Sequence, residues 1–282
     1  MNHDNAQALA RMNALARELL ADPGYLELPN LRPRDAAALI LIDGSGPVTK
    51  VLLGRRHDGH KFMPGKFVFP GGRVEPADRR METARPLDPH VERQLMREVG
   101  SPSAAHVRAL ALAAIRETCE ETGLLLGRPA PTLPSSRSRI YSTSVTLKGD
   151  RTQVNLSSVA SRGPPGSAWA AFAAARVLPD LGALHFVARA ITPPRRTRRF
   201  DTRFFAADTD AIAHRIDGVI GPDTELVELV WLPIGEARAL DLAAITGVVL
   251  QELEARIAAG LARDLPVPFY RMRHRRFVRE LL

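Results

Sequence analysis

The chain of 282 residues contains a single cysteine, Cys119. No intramolecular disulfide can form, which excludes a disulfide-stapled fold and fits a reducing compartment. It has no run of about 18 apolar residues, so no membrane-spanning helix is expected. The first twenty residues, MNHDNAQALARMNALARELL, read as an amphipathic helix over 5–20 and lack the apolar core of a signal peptide. The expectation is a cytoplasmic protein with no membrane partner. Internal repeats are absent, which excludes a solenoid. The basic residues come with no nucleic-acid-binding motif, so no nucleic-acid partner is expected.

What is present is an ordinary globular composition, 45% hydrophobic and 25% charged, on a chain long enough for one large domain. The net charge is +8, which suits an anionic partner such as a phosphorylated small molecule. Segments 36–43, 48–56, 66–69, 183–192, 199–208 and 225–233 read as strands, and 88–98, 101–122, 167–178 and 234–261 as helical. Several strands are adjacent and there is no regular βαβ alternation. That favours an α+β fold with helical insertions over a doubly wound parallel sheet. The organisation expected is a helical extension over 1–30, one domain over 31–262 with insertions at about 79–105 and 127–167, and a basic tail over 263–282.

The segment GSPSAAHVRALALAAIRETCEETG (100–123) is the strongest helix, with Ser101 expected as N-cap, Pro102 in the first turn and Gly123 just past the end. Its inward stripe is Val107, Ala111, Ala114, Ile115, Thr118 and Thr122. Glu117, Glu120 and Glu121 lie roughly 100° round from that stripe. Glu117 and Glu121, at i and i+4, repel by about 0.2–0.5 kcal/mol. Carboxylates in the last turns also oppose the helix dipole, at about 0.3–1 kcal/mol each. Two local rules are broken at one spot, as is expected at a functional site. A divalent cation changes the sign of the effect, because hard cations such as Mg²⁺ or Mn²⁺ take oxygen ligands and turn that repulsion into affinity.

Upstream lies FVFPGGRVEPAD (67–78). Together with 116–124 it resembles the Nudix hydrolase signature, G-x5-E-x7-R-E-U-x-E-E-x-G-U, where U is aliphatic. Gly72 takes the first glycine and Asp78 the first acidic place. Arg116, Glu117, Glu120, Glu121, Gly123 and Leu124 match the remainder. Asp78 replaces Glu, Thr118 stands at an aliphatic place, and 37 residues rather than seven separate Asp78 from Arg116. The two halves can still meet as loop and helix.

The resemblance implies an α/β/α sandwich with a mixed sheet, and metal-dependent hydrolysis of a diphosphate in a nucleoside diphosphate derivative. By position, Glu117, Glu121 and Glu120 with the Gly72 peptide oxygen would be metal ligands, for Mg²⁺ or Mn²⁺. One of the glutamates would act as base, and Arg116 would pair with Asp78 to orient the loop. Glu225 would be an extra acidic residue near the metal. The segment VLLGRRHDGHKFMPGKFVFPGG (51–72) is similar to the upstream motif of coenzyme A diphosphatases at Leu52, Arg56, Gly65 and Phe69 to Gly72. The box split by an insertion is similar to the peroxisomal coenzyme A hydrolase branch. Coenzyme A carries an extra phosphate, so Arg56, Lys61, Gly71, Arg199 and Arg203 are the candidate substrate contacts. Coenzyme A or acyl-coenzyme A is the first substrate expected. ADP-ribose, NADH or a nucleotide sugar is a second reading, a non-catalytic nucleotide-binding module a third, and a homodimer is left open.

Overall fold

The computed structural model describes residues 3–21, 28–60, 63–131 and 167–282. In chain order it contains α1 (His3–Ala21), β1 (Arg34–Asp43), β2 (Lys50–Arg56), β3 (Phe67–Val68), β4 (Gly71–Arg73), α2 (Pro89–Leu95) and α3 (Ala104–Thr122). There follow β5 (Leu124–Pro129), α4 (Ala168–Ala174), β6 (Val177–Pro179), β7 (His185–Ile191), β8 (Phe200–Asp208) and β9 (Ile212–Arg215). The last elements are β10 (Leu226–Pro233), α5 (Ile234–Ala237), α6 (Ala244–Ala258), β11 (Pro268–Arg273) and β12 (Arg276–Leu281). Lys61 and residues 132–166 of the expected second insertion lie outside the described residues.

The burial of β1 decides the layering. Ala37, Leu39 and Leu41 join one core cluster with α2, α3 and α4, while Ala38, Ile40 and Ile42 join another with α1, α5 and α6. Successive strand residues point to opposite faces, so a strand apolar on both faces needs a layer of helices on each side. The result is an α+β sandwich. Among the described residues its main sheet runs β10-β2-β1-β8-β7-β11-β12, with β3 on β2 and β4 on β1. The sheet is mixed: β1 pairs parallel with β8 and β7 parallel with β11, and the other pairs are antiparallel. A smaller three-stranded sheet, β6-β5-β9, stands beside it.

Several boundaries differ from expectation. The α3 N-cap is Ser103, whose hydroxyl accepts from the His106 amide at 3.2 Å. Ser101 and Pro102 therefore precede the helix, because a cap must have the third residue on within reach of its side chain. Ser103→Ala is expected to cost about 1 kcal/mol, read from the denaturation midpoint; Ser101→Ala should cost nothing measurable. The helix expected over 167–178 stops at Ala174, and Val177 begins β6.

The insertion expected at 79–105 packs into the core. Met81, Leu87, Val91 and Leu95 are all buried in the core cluster that holds α3. The expected basic tail over 263–282 is also structured. Its β11–β12 hairpin extends the main sheet, and the expected N-terminal extension is tied to it. The Asn13 side chain on α1 accepts from the Phe277 amide at 2.8 Å and donates to the Phe277 carbonyl at 3.4 Å.

Candidate active site

β1 and β2 pair only at Ile42–Val51 and Asp43–Lys50, then part. β3 and β4 fill the gap, β3 along β2 and β4 along β1. This wedge carries Phe69-Pro70-Gly71-Gly72 to the C-terminal turns of α3. Gly71 is required by close approach, since a Cβ there would lie 2.6 Å from the Ala37 carbonyl oxygen, whereas one on Gly72 would lie 2.3 Å from Glu117 Oε1 and displace that carboxylate. The Gly71 amide donates to Glu121 Oε2 at 3.0 Å.

The two halves of the split motif meet. Arg116 Nε donates to Asp78 Oδ1 at 2.8 Å and Nη2 to Asp78 Oδ2 at 3.3 Å. Nη2 also donates to the Arg73 carbonyl at 2.7 Å, and Nη1 lies 2.8 Å from Glu120 and 3.0 Å from Glu117. The Glu75 amide donates to Asp78 Oδ2 at 2.7 Å, closing the loop on itself. Burial opposes the charge on Arg116, but Asp78, Glu117 and Glu120 outweigh it and hold the guanidinium protonated. Arg116 is thus the strut between loop and helix.

Glu117, Glu121 and Glu225 line one cleft of about 360 Å³ together with Arg56, His60, Gly71 and Gly72. Burial pushes the Glu117 carboxyl up to about 7, against the pull of Arg116. Burial, followed by the charges of Glu225 and Glu117, pushes Glu121 well above the usual carboxylate range. Arg56 Nη1 pairs with Glu225 at 2.9 Å and lies 3.0 Å from His60 Nδ1, while its Nε is buried without a hydrogen-bond partner.

Among the described residues, no three His, Cys, Asp or Glu side chains close on a single point. Glu117 is turned to Arg116 and Glu121 to the Gly71 amide. Mg²⁺ does not require such a cage, since one or two carboxylates, waters and substrate phosphates complete its octahedron. A buried and a half-buried carboxylate, both held high in pKa beside a peptide turn, form an all-oxygen donor set that fits a hard divalent cation.

Three sequence expectations need correction. Glu120, expected beside the metal, is salt-bridged to Arg116 and does not line the cleft. Arg203 is 1% exposed and bonded to Asp35 and Asp201. Arg199 donates to the Thr192 carbonyl and to Asn30. The cleft face of β8 carries Phe200, Thr202 and Phe204 instead, so Arg199 and Arg203 lie on the wrong side to meet a substrate. The cleft residues missed in the sequence are His60, Arg73, Thr192, Arg198 and Thr202. Arg198 stands one residue from the expected Arg199.

No protein-family model matches the chain. Over 149 residues, 39% of the chain, it is 34% identical to the acyl-coenzyme A diphosphatase NUDT19 of Gallus gallus, and the match spans 39% of that relative's length. The crystal structure of a Nudix hydrolase from Alicyclobacillus acidocaldarius superposes with a TM-score of 0.51 at 28% identity, covering 80% of this chain and 96% of that one.

Proposed function

The chain belongs to the Nudix hydrolase family, and from that premise we propose that it hydrolyses the diphosphate linkage of a nucleoside diphosphate derivative, coenzyme A or acyl-coenzyme A first among them. The reading is carried by one observation: Glu117, Glu121 and Glu225 line one open cleft together with the Gly71–Gly72 turn. The name of the Gallus relative and the match at Leu52, Arg56, Gly65 and Phe69 to Gly72 support the substrate.

A bound Mg²⁺ or Mn²⁺ would offset the charge of the phosphate oxygens and lower the pKa of a water for attack. Glu117 and Glu121 would hold it. Arg116, fixed by Asp78, holds the Glu117 carboxylate, and the Gly71 amide holds Glu121. Arg56, which lines the cleft, would donate to a phosphate oxygen, a charge-assisted bond that also fixes the scissile group. Glu225, already paired with Arg56, would orient that guanidinium at the same end. Glu120 steadies Arg116 from the solvent side.

The test is incubation with Mg²⁺ or Mn²⁺ and a panel of diphosphates, with products identified by mass. Coenzyme A yielding 3′,5′-ADP and phosphopantetheine is expected. Turnover of ADP-ribose, NADH or nucleotide sugars in its place overturns the substrate, and turnover of none overturns the reaction in favour of a binding module. Metal binding has its own readout. At about 100 times its dissociation constant, the cation should stabilise the fold by about 2.7 kcal/mol. A thermal melt without any metal-dependent shift would contradict the site.

A further inference from the structure

Part of the cleft is built from two rows of the sheet. In one row Arg73 of β4 pairs with Ala36 of β1, and Ala36 pairs with Thr202 of β8. In the next, Gly71, Ala38 and Phe204 are in line. Partners across a ladder share a face, and the neighbours between them point the other way. The Cβ direction of Gly72 meets Glu117, so Arg73 projects from the opposite face of β4. The alanines leave the floor low. Phe69 and Phe204, both core residues, pack edge to face with centroids 6.4 Å apart at 74°, and they line the cleft together with the half-buried Phe200. An apolar, aromatic wall of this kind suits a flat ring.

Two cations lie beside this wall. Arg73 and Arg198 both line the cleft and both are exposed. Among the described residues neither guanidinium has a hydrogen-bond or ion-pair partner. The contrast with nearby arginines is sharp: Arg189, Arg199 and Arg203 are each bonded within the fold, and Arg56 is paired with Glu225. Thr192 and Thr202 line the same cleft.

We infer that Arg73 and Arg198 form a second anion subsite, apart from the carboxylates of α3, which takes a phosphate borne on the sugar of a nucleotide whose base lies against Phe69, Phe200 and Phe204. This deepens the diphosphatase reading and rests on it for the reaction, but binding alone tests it. Guanidinium forks match phosphate oxygens in a way a point charge does not, so the subsite selects a sugar phosphate over a bare hydroxyl. The substrate class narrows to nucleoside diphosphate derivatives carrying a third phosphate group on the ribose.

The experiment compares adenosine 3′,5′-bisphosphate with adenosine 5′-monophosphate by titration calorimetry on the full chain with no metal added. The wild type should prefer the bisphosphate by about tenfold or more. Arg73→Gln and Arg198→Gln should each remove most of that preference. Arg196→Gln, an exposed charge outside the cleft, should keep it. Circular dichroism checks that each variant is folded, and Arg198→Lys, with an intermediate preference expected, covers a glutamine variant that is not. Equal affinities in the wild type overturn the subsite, as does a preference that survives both glutamine variants or is lost equally in Arg196→Gln. A chain that hydrolyses no diphosphate yet keeps the preference would sink the reaction and spare the subsite. Hydrolysis without the preference would do the reverse.

Discussion

Asp78→Ala is expected to destabilise the protein by about 3–5 kcal/mol, the usual consequence of removing one partner from a buried ion pair. Asp78 is fully buried and Arg116 is 3% exposed, so the arginine left behind has no water to turn to. Glu117 and Glu120 would still face Arg116 at 3.0 and 2.8 Å, which limits the loss to that range. The Glu75 amide would lose its acceptor as well. Urea denaturation reads the effect as a lower midpoint at constant slope. A change under about 1 kcal/mol would mean that the pair does not lock the glycine loop to α3.

The second large effect falls on activity and leaves the fold intact. Glu121→Gln is expected to reduce kcat by about 10²–10³-fold, the scale on which one preorganised electrostatic partner of the reacting group is lost. The amide oxygen of glutamine can still accept from the Gly71 amide, so the turn remains in place. Melting temperature should hold or rise, because a buried carboxyl that burial pushes well above its usual range is replaced by a neutral group. The metal-dependent thermal shift should vanish with it. Glu120→Gln should cost far less activity, since that carboxylate is 38% exposed and faces Arg116. Activity within a few-fold of wild type in Glu121→Gln would sink the assignment of this carboxylate.

The site was more legible in the sequence than its surroundings. Glu117, Glu120 and Glu121 could be read because charge on a helix end breaks local rules, and Arg116 and Gly123 joined them through the motif. Asp78 could be read only through the motif, since no short-range pattern links residues 38 apart. The phase of β8 was not legible. In RFDTRFF, positions 199, 201 and 203 alternate with 200, 202 and 204, and either set could face a helix layer or the cleft. Reading the arginines as outward is natural for a half-exposed strand, but β8 is covered on both faces. Arg203 went inside because Asp35 and Asp201 wait for it there.

The β11–β12 hairpin was missed for a different reason. Arg273 pairs with Arg276, so His274 and Arg275 form a two-residue turn with φ of 47° and 63°. That turn normally announces itself through Asn or Gly, and here it carries neither. Charges of this basic segment are held by partners far away in sequence. Arg279 forks onto Glu252 at 2.7 and 3.1 Å, and Arg271 donates to Glu98 at 3.0 Å.

The split of the motif by 37 residues can be weighed as chain entropy. Lengthening a loop from seven to 37 residues is a little over two doublings, which raises the closure cost by roughly 1.4 kcal/mol. Burying one side chain such as Val91 or Leu95 recovers about 1.5–3 kcal/mol, and both are buried against α3 together with Met81 and Leu87. The inserted chain therefore offsets its own closure. It does so by making the glycine loop, α2 and α3 one thermodynamic unit, in which Asp78 cannot leave Arg116 without that shared core opening too.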